Sequence, residues 1–313
     1  MDAVLKEIVQ KLKKEETRWD AILQLKVLKD TRWVGQLIPL LADEDWVIRW
    51  CIAEKLGDFH DPRAIKALVG CLSDSDFHVR KNASKALLRI GVEVIPSLVS
   101  QFSNFDVRTR LLVLSIFLSM GTAAIPKLSK SLTGQDWVAS NRIVDTIGRL
   151  GGEQAEVALI QALSNEKAQK HAVILLGIMR SKRAVPHLLK AFDYPKLRRI
   201  VVYSLYRIGE KDAYPAIVTS LQSSSAGVAS LSEKIVLKIG TPMLPFLVSA
   251  LKLPRAKKRL ILTVIGKIGV GPALPHIEKI MVHDAELRQL VEQLNLRGAA
   301  KKSSGGLLGF LKG

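Results

Sequence analysis

The chain is poor in aromatic residues and in cysteine. Aromatics make up 5% of its 313 residues while hydrophobic residues make up 48%. The core must therefore be built from Leu, Ile, Val and Ala, which suits packed helices. Two cysteines, Cys51 and Cys71, are too few for a disulfide framework. Both fall within apolar patterns and match no metal-ligand spacing, so they read as buried thiols in a reducing compartment. Long hydrophobic runs are also lacking. An apolar uncharged stretch, Leu111 to Pro126, is shorter than the ~20 apolar residues of a spanning helix, and it contains a turn at Gly121. The N-terminal "MDAVLKEIVQKLKKEE" is amphipathic and charged, without the apolar segment of a signal peptide. The expectation is a soluble, cytoplasmic protein.

Acidic residues are scarce in one half. Residues 1–150 carry 22 Lys and Arg against 18 Asp and Glu, whereas residues 151–313 carry 25 against 11. Between Ala213 and Ile277 the only acid is Glu233. Such a field favours an acidic partner: an acidic protein, nucleic acid or an anionic surface.

Known site chemistries are missing as well. The six histidines form no metal-like pair with Cys, Asp or Glu. "GGLLGFLKG" lacks the Lys-Ser/Thr of a phosphate loop, and no G-x-S-x-G elbow occurs. Nothing local argues for catalysis, a metal or a cofactor.

What is present is a repeat. Gly91, Gly121, Gly151, Gly209, Gly240 and Gly269 follow one another by 30, 30, 58, 31 and 29 residues. Pro96, Pro126, Pro186, Pro215, Pro245 and Pro275 keep the same beat. A fixed period in this range is the mark of a solenoid. Within a unit, "DPRAIKALVGCL" has helical apolar spacing, "SDSD" breaks and caps, and "VRKNASKALLRIG" is a second helix closed by Gly91. The proline then opens the next helix, where its missing N–H has no partner to lose. No segment alternates with period two, so no sheet is expected. The stretch 152–179 is the irregular unit, with Glu156 at the proline's place and no closing glycine.

The stretch "DWVIRWCIAEKLGDFHDPRAIKALVGCLSDSDFHVRKNASKALLRIG" resembles the HEAT-repeat family, in its short form known as the phycobilisome-lyase HEAT-like repeat. The matching features are V/I-R, the small residues after it, L-G and D-P-R-A-I. The resemblance covers about residues 33–298. It implies an all-α, right-handed α-solenoid of about eight or nine antiparallel helix pairs with a period near 30 residues. Residues 1–32 then form an N-terminal helical cap that shields the first core edge. Residues 299–313 are a flexible linker with a C-terminal apolar docking peptide. The fold implies no particular activity.

Three features stand out as candidates. An inter-repeat ladder pairs Asp45 with Arg49, Asp76 with Arg80 and Asp106 with Arg110; Asp136 continues it, but Ser140 replaces the arginine. The ladder reads as structural capping and bridging. Asn165, Tyr194, Ser225 and Pro254 then occupy the acid's register. Second, a basic stripe comprises Arg149, Arg198, Arg199, Arg207, Lys234, Lys238, Lys257, Lys258, Arg259 and Lys267. Several of these stand two residues before a closing glycine, where a cation also complements the helix dipole. The resemblance implies that the second helices line the concave face, where these cations become a partner-binding surface. Third, Leu307, Leu308, Phe310 and Leu311 form a tail cluster after "KKSSGG". "LGFLKG" is similar to the cargo-loading peptides of encapsulin shells, with Phe310 where serine is usual. The five tryptophans all lie in the first half and are expected to pack between repeats.

The leading reading is a non-enzymatic scaffold or adaptor that binds an acidic protein through its basic C-terminal half and docks by its tail. Two alternatives stay open. One is nucleic-acid binding, as in HEAT-like alkylpurine DNA glycosylases; the other is a bilin-lyase-like chromophore chaperone. The tail's lysines also permit peripheral membrane contact.

Overall fold

In a computed structural model of the chain, residues 3–253 and 256–294 are described. Twenty α-helices and no strand occur among them. The helices pair along the chain, and each pair is one repeat. The pairs pack into two compact units, residues 1–172 and 173–313, with the division falling inside one helix.

The first unit opens with α1 (Ala3–Lys13) and α2 (Arg18–Val27). Next come α3 (Val34–Leu37) with α4 (Trp46–Phe59), and α5 (Ile65–Gly70) with α6 (Phe77–Ile90). They are followed by α7 (Ile95–Gln101) with α8 (Val107–Ser119), α9 (Ile125–Lys130) with α10 (Trp137–Leu150), and α11 (Gly152–Ala162). α12 (Gln169–Ile178) holds the division between units. In the second unit the pairs are α13 (Val185–Ala191) with α14 (Arg198–Ile208), and α15 (Tyr214–Ser220) with α16 (Ala226–Ile239). α17 (Leu244–Leu251) with α18 (Lys258–Ile268) and α19 (Leu274–Met281) with α20 (Ala285–Gln293) complete it.

Each unit is a segment of all-α solenoid. Second helices pack on second helices, α4 on α6, α6 on α8 and α8 on α10, while α5, α7, α9 and α11 form the other layer. The second unit repeats this with α14, α16, α18 and α20. Nine pairs lie between residues 34 and 293 among the described residues, and α1 with α2 adds a tenth. The stretch read as an N-terminal helical cap, residues 1–32, is formed by this tenth helix pair and the 3-10 turns beside it.

The closing glycines explain the turn. All six aligned glycines have positive φ, from 65° to 128°, a region glycine enters without the Cβ penalty. Where the chain passes from α6 to the helical segment at Val92–Asn104 it turns by 110°, and from α16 to Thr241–Leu251 by 114°. A short 3-10 turn precedes most first helices, as at Pro62–Ala64, Val92–Val94 and Thr241–Met243. The prolines then sit in the first turn of α7, α9, α13, α15, α17 and α19.

The irregular unit closes without a glycine. After α12, Arg180 takes φ 53° and the Ser181 N–H donates to the Leu176 carbonyl oxygen at 3.1 Å. His60, with φ 52°, closes α4, its N–H donating to the Gly57 carbonyl oxygen at 3.3 Å. These two are the positive-φ residues other than glycine among the described residues.

The core is aliphatic, with Leu56, Leu68, Leu87, Val201, Leu205 and Ile265 at zero exposure. Cys51 and Cys71 are buried free thiols, and burial pushes both up to about 12. No single helix among the described residues is long and apolar enough to cross a membrane.

Candidate partner-binding surface

The Asp–Arg ladder is a set of caps and staples. Asp45, Asp76, Asp106 and Asp136 each cap a second helix, accepting from the N–H groups of Val47, His78, Thr109 and Ala139 at 2.7–2.8 Å. The arginines turn back to carbonyls that close the preceding helix. Arg49 donates to the Asp43 oxygen at 2.8 Å, Arg80 to Asp74 at 2.6 Å and Arg110 to Phe105 at 2.8 Å. Arg49 also forms a bidentate pair with the Asp74 carboxylate of the next repeat, at 2.8 and 2.9 Å.

This register extends further than its carboxylates reveal. Arg18 donates to Leu12 O at 2.9 Å and contacts Asp45 at 3.3 Å. Arg198 donates to Phe192 O at 3.1 Å, with its guanidinium over the Phe192 ring. Lys258 contacts Asp284 and Glu286, each at 2.7 Å. Hydrogen bonds that the Lys258 ammonium donates to Asp284 and Glu286 hold it above its ordinary value. Asp284 itself caps α20 through the Leu287 N–H at 2.9 Å, and Arg288 reaches back to Met281 O at 3.2 Å. The acid register, lost at Asn165, Tyr194, Ser225 and Pro254, thus returns at Asp284. The signal was a plain 30-residue step from Pro254 to Asp284.

The ten cations of the basic stripe therefore fall into different settings. Arg149 lies in the first unit and pairs with Asp145 at 3.0 Å. Arg198 and Lys258 belong to the ladder, with donors turned to their own fold. Lys267 reaches back one repeat to Glu233 at 2.7 Å. Arg89 does the same toward Asp58 at 2.8 Å. At Arg89 and Lys267 the cation two residues before the closing glycine is thus a staple between second helices.

Arg199, Arg207, Lys234, Lys238, Lys257 and Arg259 remain. All are exposed, and none makes an ion pair with another described residue. Arg199 and Arg207 lie on α14, Lys234 and Lys238 on α16, and Arg259 on α18; Lys257 stands at the start of α18. Their neighbours Val201, Val202, Leu205, Ile235, Val236, Ile261 and Leu262 are buried, so the cations occupy the outward side of three consecutive second helices.

Aromatic groups share this surface. Tyr203 is 48% exposed, its ring centroid lies 6.4 Å from that of Tyr206, and the Lys238 ammonium stands 5.7 Å from the Tyr206 centroid. Attention to tryptophan alone misses these tyrosines, although their spacing from Arg199 and Arg207 places them on one helical face.

The tryptophans depart from expectation. Trp33 is buried, but Trp19, Trp46 and Trp137 are exposed by 73, 43 and 65%. Trp46 and Trp137 occupy the first position of α4 and α10. From there the Trp46 ring still meets His78 of the next repeat, with centroids 5.6 Å apart, while part of it stays exposed. The tail residues Leu307, Leu308, Phe310 and Leu311 lie outside the described residues.

A model of HEAT repeats matches residues 3–72 and 35–115. The first match takes in α1 and α2. No curated protein matches the chain. Solved structures that resemble it include human deoxyhypusine hydroxylase in complex with glycerol, 21% identical, covering 74% of this chain and 93% of that one, with a TM-score of 0.33. The complex of CpcE and CpcF of phycocyanin lyase from Nostoc sp. PCC7120 is 19% identical, covering 83% and 92%, with a TM-score of 0.26. Kap95p bound to RanGDP is 14% identical, covering 96% and 45%, with a TM-score of 0.34.

Proposed function

We propose that this HEAT-repeat chain is a non-enzymatic scaffold whose second unit binds an acidic protein across the outward side of α14, α16 and α18. One observation carries the reading. Arg199, Arg207, Lys234, Lys238 and Arg259 stand exposed there without carboxylate partners among the described residues, and Glu233, the only acid between Ala213 and Ile277, is already bound to Lys267. Cations held on rigid helices need no folding to present their charge. They would steer an acidic partner and fix its register more than they would add raw affinity. Tyr203 and Tyr206 add flat apolar area beside the charge.

The same tyrosines favour a second reading, single-stranded nucleic acid, because bases stack on aromatic rings beside cations. The two readings separate in one experiment. The full chain is titrated with a labelled acidic peptide and with a labelled single-stranded oligonucleotide at several salt concentrations. The comparison variant carries R199E, R207E, K238E and R259E, and a control reverses Lys29, Lys66, Lys81 and Lys85 instead. The expected result is peptide binding lost only in the first variant, with helicity intact. Tighter oligonucleotide binding, with log K falling by about 0.7 per phosphate contacted, would replace the protein partner by nucleic acid. Equal loss in both variants would remove this surface as the site.

A further inference from the structure

A groove of about 710 Å³ opens between α17 and α19, on the first helices rather than the second. It is separate from the basic surface described above, and its argument does not rest on that reading. Leu244, Val248 and Ile280 give it an apolar lining, and Leu244 and Val248 are buried. Its charged and titratable lining residues are Lys252, His276, Lys279 and His283, with no carboxylate among them.

The charge is arranged along the groove. Lys252 caps the C-terminal end of α17, Lys279 lies in the last turn of α19 and His283 follows that helix. The opposite end is built from Leu244, Pro245, Pro272 and Ala273. Lys252 and Lys279 are exposed and have no ion pair with another described residue, unlike Lys258, which Asp284 and Glu286 neutralise. A comparable groove between α9 and α11, about 760 Å³, is different in kind: its lining holds one lysine, Lys130, and one carboxylate, Glu153, and the remaining polar lining is uncharged. Grooves between first helices are therefore not cationic as a rule of this repeat.

We infer that the α17–α19 groove is a binding site for a small amphipathic carboxylate. The carboxylate would lie at the Lys252–Lys279 end and an unbranched apolar chain would run toward Leu244 and Ala273. The volume falls within the range of small-molecule sites, which are mostly apolar with a few placed polar groups. The eight residues of α17 span about 12 Å, which suits an acyl chain of medium length.

The test is calorimetric titration of the full chain with decanoate, below its micelle concentration, and with decanol. A single saturable site for decanoate is expected, with an affinity about tenfold or more above that of decanol, the scale of a charge-assisted contact. K252E combined with K279E changes exposed positions only and should lower decanoate affinity by about tenfold or more. Ser249→Trp, at an exposed lining position, fills the groove and should abolish binding. Both variants should keep the acidic-peptide binding of α14, α16 and α18 if that reading holds, and wild-type helicity whether or not it does. Equal affinity for acid and alcohol, no saturable heat, or unchanged decanoate binding in both variants would overturn the site. Tighter binding of an acidic peptide that Ser249→Trp removes would overturn it in favour of a protein segment.

Discussion

Gly57 on α4 lies directly against Ala86 on α6. A Cβ at Gly57 would stand 2.6 Å from the Ala86 Cα and 2.7 Å from its Cβ. The contact recurs in the second unit, where a Cβ at Gly177 would meet the Ser204 Cα at 2.8 Å. Each of these glycines follows a leucine and stands three residues before a closing residue, His60 or Arg180, that is not glycine. Glycine here serves the close approach of neighbouring second helices. Gly57→Ala should cost ~1–3 kcal/mol through overpacking. Gly70, whose added Cβ meets nothing within 4 Å, is the control. Gly70→Ala should be neutral or stabilise by ~0.5–1 kcal/mol. Denaturant midpoints of the two variants check both signs, and equal midpoints would refute the contact.

The Arg49–Asp74 pair predicts a pH dependence. Burial raises the Asp74 carboxyl, but hydrogen bonds from Arg49 and the Asp76 N–H, with the charges of Arg49 and Arg80, outweigh it and hold the group below its ordinary value. A depressed carboxylate contributes stability that is complete above the unfolded value, ~3.9, and is lost as pH falls through the folded one. Asp74→Asn should therefore destabilise the chain at pH 7, by ~1–3 kcal/mol because Arg49 loses a partly buried ion-pair partner. The variant should also show a flatter decline between about pH 5 and pH 2. Melting curves across that range give the measurement, and parallel acid limbs would show that Asp74 is not the titrating group.

Much of this was legible in the chain because a repeat multiplies every signal. Six glycines at positive φ and six prolines in first turns were readable as stops and starts from spacing alone. The ladder's register was readable at Asp45 and Arg49, although Arg49 pairs with Asp74 and Asp45 with Arg18. It was not readable at Arg18, Arg198 or Lys258, because their acceptors are mainly backbone carbonyls or acids more than 25 residues away. A cation's sequence register shows that it recurs, whereas its partner is set by packing. The same limit applies to Ser140, which stands at an arginine's place with its hydroxyl buried and without a partner among the described residues. The groove between α17 and α19 also escaped the sequence, since Lys252 and Lys279 come together only when two repeats stack.

Two pairs of adjacent residues separate fold from surface. Arg198 and Arg199 are neighbours, as are Lys258 and Arg259, yet the first of each pair turns inward to its own fold and the second is exposed. Arg198→Ala removes a hydrogen bond to Phe192 O and the guanidinium's contact with the Phe192 ring, and should cost ~1–2 kcal/mol of stability. Arg199→Glu and Arg259→Glu should leave stability within ~0.5 kcal/mol, as exposed substitutions usually do, while weakening acidic-peptide binding about threefold to tenfold each, the range of a rim charge contact. Lys258→Glu should repel Asp284 and Glu286 and lower the stability of the last repeats without a direct role in binding. Thermal melts and peptide titrations on the four single variants give an eight-value table. If Arg198 and Lys258 lost affinity as strongly as Arg199 and Arg259 while keeping full stability, the inward assignment would fail and the ladder cations would belong to the binding surface.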